Sequence, residues 1–176
     1  MNGEDNNHTF PGQAAGTVYM AALVNVSSTQ ASGDYFLHMF DGAIAGNGFY
    51  SRIFIKDPGT GTNYAFGVQF KSTVDAVYTP GFTFTPGTTH LVVVKYVRPS
   101  ATNDVVQLFV DPAIQKPEPA PTLTAVHDIT QTDAVNMDGV AVRAAPAQPA
   151  LPPLTASGSP PAGPTRSVRR SPPRPF

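Results

Sequence analysis

The chain has 176 residues, a formal net charge of −1 and no cysteine, a length that suits one domain with a single core. The absence of cysteine excludes disulfides and thiolate metal sites, so burial and backbone hydrogen bonds must stabilise the fold. Every Asp and Glu lies at or before Asp138, and this acidic body argues against nucleic-acid binding, which needs clustered Lys and Arg.

The first residues carry neither of the features of an export signal. Met1 is followed by Asn, Gly, Glu and Asp, without a basic start or an apolar stretch. No secretory signal or membrane span is therefore visible in these residues, and two interpretations stay open: a cytoplasmic protein, or a chain whose true start lies upstream.

Short runs of β-branched and aromatic residues, separated by Gly, Pro, Asn and Asp, predict an all-β chain. Their spacing of roughly 8–12 residues is typical of sandwiches, and no stretch has a clear helical period. The predicted strands are residues 17–27, 34–40, 49–56, 64–71, 76–79, 90–98, 105–110, 122–128 and 136–143.

Two runs indicate how strands face the core. In residues 52–56, Ile53 and Ile55 alternate with Arg52, Phe54 and Lys56, so one face should be buried and the other should face water or a ligand. The run 91–94 is Leu-Val-Val-Val and predicts either a strand covered on both faces or a central strand.

The composition changes after Arg143. Residues 144–176 are rich in Pro, Ala and Arg, and because proline cannot donate to a strand ladder, we predict a disordered tail behind a module of residues 1–143. One interpretation of this tail is a Pro/Ala linker.

Several segments resemble a family of concanavalin A-like, laminin-G-like jelly-roll modules found in large exported bacterial proteins. The resemblance covers residues 2–143 and is carried by structural motifs, none of them catalytic. These motifs lie in residues 2–10, 16–26, 33–38, 64–68, 88–96 and 103–112.

The resemblance implies an antiparallel β-sandwich of jelly-roll type that is incomplete at both ends, because family members have further strands upstream and a closing Asp-Gly-Ile-Arg-Val and Trp-Ala-Asp segment. Shifted by one base, residues 155–159 can be re-read as Asp-Gly-Ile-Arg-Val and residues 163–166 as Trp-Ala-Asp-Ala. We hypothesise a frameshift after about Arg143, and we assign no function to the Pro pairs or Arg cluster of the tail.

Catalytic signatures are absent from the sequence. A glycoside hydrolase of this fold needs paired carboxylates, but the acids are scattered and no Glu-x-Asp-x-x-Glu arrangement occurs. There is also no Gly-x-Ser-x-Gly elbow, no His-Glu-x-x-His helix and no phosphate loop. We expect the four histidines to be polar residues of strands or turns: His8, His38, His90 and His127.

Calcium is the one ion that the sequence and the resemblance suggest, since related sandwiches hold it with loop oxygens. The candidate ligands are Asp34, Asn103, Asp104 and Asp111. The alternative is that these side chains only cap the backbone at turns. A second, weaker acidic group is Glu4 and Asp5 with Asn6 and Asn7.

Sugar binding would need an exposed aromatic platform beside polar side chains. Most of the six tyrosines lie within predicted strands, where packing is the commoner outcome: Tyr19, Tyr35, Tyr50, Tyr64, Tyr78 and Tyr96.

By resemblance, we expect a non-catalytic binding or adhesion module, extracellular or on the cell surface, within a longer parent chain with other domains. The expected partner is a glycan or another cell-surface polymer. Two alternatives stay open: a fragment of a glycoside hydrolase or lyase of the same fold, and a structural spacer in a surface protein.

Overall fold

The computed structural model describes residues 5–42, 48–71, 75–99, 103–126 and 132–143. These residues form ten strands and no helix, and every strand pairing is antiparallel. The all-β prediction is confirmed. The predicted tail, 144–176, and its proposed frameshift lie outside the described residues.

The strands form two sheets. The six-stranded sheet contains, in spatial order, β1 (Asp5–Gln13), β10 (Met137–Arg143), β3 (Asp34–Asp41), β4 (Phe49–Lys56), β5 (Ala65–Lys71) and β6 (Val77–Tyr78). The four-stranded sheet contains β2 (Gly16–Asn25), β7 (Thr89–Arg98), β8 (Val105–Val110) and β9 (Leu123–Val126).

The two sheets pack face to face as a β-sandwich. Met39, Ile53 and Phe66 of the six-stranded sheet are fully buried in one cluster with Val94 and Leu108 of the four-stranded sheet. Each such side chain contributes about 2 kcal/mol when it leaves water, so the cluster between the sheets is the main source of stability.

Aromatic rings join the two layers at one end of this core. The ring of Tyr96, on β7, lies 6.1 Å from that of Tyr50 and 5.9 Å from that of Phe70. All three side chains are buried, and edge or stacked ring pairs add to the energy of burial. The sheets are therefore held by specific ring geometry as well as by aliphatic packing.

The two expectations about strand faces have different outcomes. Ile53 and Ile55 are buried and Phe54 is half-buried, so the predicted alternation is confirmed. In β7, Val92 and Val94 are fully buried while Leu91 is half-exposed. The strand is central in its sheet but covered on one face only, so the alternative of two covered faces is wrong.

Strand β1 was not predicted. Its sequence, DNNHTFPGQ, is poor in β-formers, and residues 6–9 are exposed. It pairs with β10 alone, with an irregular register between Thr9 and Gln13 that accommodates Pro11. Tertiary pairing, and not local propensity, makes this segment a strand.

Candidate functional site

The face of the six-stranded sheet that points away from the core carries a group of rings and cations, here called the outer-face patch. Its members lie on β3, β4, β6 and β10. They are Asp34, Tyr35, His38, Phe49, Arg52, Phe54, Lys56, Tyr78 and Arg143.

A β-bulge in β4 sets the direction of Arg52. Leu37 pairs with Ile53 and Met39 with Tyr50, so Ser51 and Arg52 together stand opposite one residue of β3. Ser51 has a φ of 52°, a left-handed conformation that costs a non-glycine residue about 1–2 kcal/mol. Bulges of this kind redirect a side chain.

Three aromatic rings form a row across the strands. Tyr35 pairs with Phe54, and Phe54 pairs with Gly67, which pairs in turn with Tyr78. The ring centroids lie 5.7 Å apart for Tyr35 and Phe54 and 6.3 Å apart for Phe54 and Tyr78. All three rings are half-buried, so each presents part of its surface to solvent.

Glycine makes room for this row. Gly67 has no side chain between the rings of Phe54 and Tyr78, and a β-carbon there would lie 2.6 Å from Cε1 of Tyr78. On the other side of the patch, the ring of Phe40 lies against Gly139 in the same way. Both glycines are needed for close approach of a ring to the strand.

Cations lie over the rings. The guanidinium of Arg52 is 4.7 Å from the centroid of Tyr35 and 5.4 Å from that of Phe49. Lys56 Nζ is 3.8 Å from the centroid of Tyr78, and Arg143 is 4.6 Å from that of Tyr35. Such cation–π contacts fix the long side chains on the sheet.

Some charged side chains of the patch have a partner of opposite charge in the described part of the chain, and others do not. Arg143 donates to Asp34 at 2.6 Å, the one carboxylate among the patch residues. Burial lowers the pKa of Arg52, and its Nε has no hydrogen-bond partner among the described residues. The patch thus holds three cations and one anion on a chain whose described body is acidic.

His38 lies beneath the rings. It is 2% exposed, its ring is 4.6 Å from that of Phe49 and 5.5 Å from that of Tyr35, and neither ring nitrogen has a described partner. Burial, followed by the charges of Arg52 and Arg143, lowers the pKa of His38 to about 4. The ring is neutral at neutral pH.

The candidate calcium ligands lie apart. Asp34 is at the start of β3 and binds Arg143; Asp104 precedes β8 and accepts from Tyr96 Oη at 2.8 Å; Asp111 follows β8 and bonds His90 at 2.7 Å. Asn103 is exposed beside Asp104.

Because Asp104 and Asp111 stand at opposite ends of β8, they are about 20 Å apart. Among the described residues, no group of three or more His, Asp or Glu side chains is placed to hold a metal. Calcium binding stays a prediction. Of the second acidic group, Glu4 and the side chain of Asp5 lie outside the described residues.

The tyrosines divide between the core and the surface. Tyr50, Tyr64 and Tyr96 are buried, as expected for strand tyrosines, while Tyr19 is 55% exposed on the four-stranded sheet. Tyr35 and Tyr78 belong to the patch.

The histidines also differ in their surroundings. His8 is exposed on β1, His38 and His90 are buried, and His127 lies outside the described residues. The sequence indicates His38 only as one of four polar strand or turn histidines and Arg143 only as the residue before the tail. The alternation in residues 52–56, however, places Arg52, Phe54 and Lys56 on the non-core face.

No protein-family model matches the sequence, and no curated protein matches it either. Within the described part of the chain, no helix is long and apolar enough to span a membrane. What the structure itself establishes is a β-sandwich of two antiparallel sheets, with a group of aromatic rings and cations on the outer face of the six-stranded sheet.

Proposed function

We propose that the chain is a non-catalytic binding module of jelly-roll type and that the outer-face patch binds a glycan. The observation that carries this proposal is the row of half-buried rings, Tyr35, Phe54 and Tyr78, flanked by Arg52 and Lys56. Sugars present apolar C–H faces that pack on aromatic rings, and hydroxyls that accept hydrogen bonds from cationic side chains.

The scaffold suits recognition of an extended polymer. The rings project from three strands of one sheet, β3, β4 and β6, with β5 and its Gly67 between the last two. Their spacing is fixed by the backbone ladder, and little conformational entropy is lost when a ligand binds. Glycine at position 67 leaves the row without an intervening side chain. A chain of sugars can therefore lie across β3, β4 and β6.

The composition of the patch favours binding over hydrolysis. Glycoside hydrolysis uses two carboxylates on either side of the scissile bond. Asp34 is the one carboxylate of the patch, and it is held by Arg143 at 2.6 Å. A fragment of a hydrolase or lyase remains the alternative, and product release from a bound polysaccharide would favour it.

The cellular setting is part of the same proposal. An extracellular or cell-surface location, and other domains in a longer parent chain, follow from the resemblance to jelly-roll modules of exported bacterial proteins. A structural spacer of the same fold would need no ligand. Binding of a glycan therefore distinguishes a binding module from a spacer.

A glycan array with the whole chain and two variants tests the proposal. Phe54→Ala removes the middle ring of the row, and Tyr19→Ala removes an exposed tyrosine from the other sheet. We expect binding that Phe54→Ala abolishes and Tyr19→Ala leaves intact. Absence of binding to every glycan would favour the spacer, and loss in Tyr19→Ala alone would place the site on the other sheet.

A further inference from the structure

We infer that the glycan bound by the outer-face patch is acidic and that a sugar carboxylate docks on the guanidinium of Arg52. This inference rests on the proposed function and goes further, because it names the class of sugar and the residue that selects it. The occupant is a polysaccharide containing uronic acid.

The first argument is the missing counter-ion of Arg52. Lys95 is paired with Glu118 at 2.6 Å and Arg143 with Asp34 at 2.6 Å. Arg52 is partly buried and has no described carboxylate within ion-pair distance; Asp34, already bound to Arg143, acts on it only from longer range. A partly desolvated charge without a partner gains most from an incoming anion.

The second argument is the set of groups that surround Arg52. The carbon of its guanidinium lies 4.7 Å from the ring centroid of Tyr35 and 5.4 Å from that of Phe49. Its Nε is buried, and the edge formed by Nη1 and Nη2 makes no hydrogen bond to the described residues. A planar carboxylate matches this edge with two parallel hydrogen bonds. The adjoining rings of Tyr35 and Phe54 are then in reach of the sugar that carries the carboxylate.

The third argument is charge complementarity over the length of the row. Lys56 lies at the Tyr78 end and Arg143 at the Tyr35 end, while His38 beneath the rings adds no charge at neutral pH. The row is thus flanked by cations at both ends, Arg52 and Arg143 at the Tyr35 end and Lys56 at the Tyr78 end. An acidic polymer, with a carboxylate on successive sugars, can meet Arg52 at one end of the row and Lys56 at the other, while Arg143 stays paired with Asp34.

Calorimetric titration against three uronate polymers tests the inference: polygalacturonate, alginate and hyaluronan. Fully methyl-esterified pectin is the uncharged counterpart of polygalacturonate, and dextran sulfate is a polyanion without carboxylates. We expect at least one uronate polymer to bind, and, if it is polygalacturonate, its methyl ester to bind at least tenfold more weakly. Dextran sulfate should bind more weakly than the uronate polymer.

Two variants test whether Arg52 is the residue that selects an acidic sugar. Arg52→Gln should weaken binding of the uronate polymer at least tenfold, and Arg52→Lys should restore only part of it, because an ammonium lacks the planar fork. Lys95→Gln, on the other sheet, should bind as the original chain does. Comparison of ligands on the unaltered chain remains informative if an Arg52 variant fails to fold.

The outcomes separate this inference from the proposed function. Binding of neutral glycans on the array with no uronate polymer bound would overturn the acidic class and leave the binding module intact. Equal binding of dextran sulfate, unchanged by Arg52→Gln, would indicate general attraction of polyanions and overturn the role of Arg52. Failure of every glycan on the array would overturn the proposed function and this inference with it.

Discussion

The ring of Tyr78 covers Gly67 so closely that a β-carbon at position 67 would lie 2.6 Å from its Cε1 atom. We therefore expect Gly67→Ala to displace the ring and to lower the free energy of unfolding by about 1–3 kcal/mol, the usual cost of overpacking. Urea denaturation measures the loss. In the double variant Gly67→Ala/Tyr78→Ala the two losses should be less than additive, because the clash is gone; full additivity would contradict this contact.

Alanine is ordinarily more stabilising than glycine inside a strand, but the left-handed conformation of Ser51 favours glycine at this position. Its φ of 52° suits glycine, and its buried hydroxyl has no hydrogen-bond partner among the described residues. We expect Ser51→Gly to be more stable than Ser51→Ala by about 1 kcal/mol. Both variants lose the hydroxyl, so thermal or urea unfolding compares the left-handed backbone preference with the burial of the β-carbon that only alanine keeps. Equal stability would show that the bulge is not strained.

His38 should make the domain less stable in mild acid. Its pKa falls to about 4 in the folded chain, mainly through burial, whereas an unfolded histidine titrates near its ordinary pKa of 6.5. Below that pH the unfolded chain binds the proton first. The stabilisation is therefore complete above pH 6.5 and is lost as the pH falls toward 4, by about 3 kcal/mol at most.

His38→Phe keeps an aromatic ring in the same place and removes the titrating group. Its free energy of unfolding should vary less between pH 6.5 and pH 4 than that of the original chain. His8→Phe, at an exposed position of β1, is the matched control and should leave the dependence unchanged. Identical pH profiles for the original chain and His38→Phe would contradict the prediction.

The hydroxyl of Tyr96 connects β7 to two segments of chain. It donates to Asp104 at 2.8 Å and accepts the backbone N–H of Ala134 at 3.3 Å, with all three residues buried. We expect Tyr96→Phe to cost about 2–3 kcal/mol, because a buried carboxylate loses a charge-assisted hydrogen bond. Tyr19→Phe loses an exposed bond to Glu118 and should cost under about 0.5 kcal/mol. Similar losses in the two variants would contradict this assignment.

The sequence predicts strands well where hydrophobic pattern and turn residues agree. All nine predicted strands correspond to strands of the structure, with differences of a few residues at their ends. The remaining strand, β1, is not predicted, because its own residues favour loops and its partner, β10, is remote in sequence. Long-range pairing of this kind leaves no signal in a local window.

Prediction of the patch was partial for a similar reason. Alternation in residues 52–56 indicates the face that carries Arg52, Phe54 and Lys56, but apart from Phe49 the other members lie on β3, β6 and β10. Their assembly depends on strand order and on the bulge at Ser51. Neither the sheet order nor a left-handed serine can be derived from composition or periodicity.

The pairing of β1 with β10 also determines when the domain can be completed. Asp5 is in register with Arg143, and β10 stands between β1 and β3, so β1 has no place in its sheet until β10 has formed. During synthesis on the ribosome, β1 must wait for β10 to leave the exit tunnel. Closure of so long a loop is slow, and the six-stranded sheet is therefore finished only after translation of its final strand.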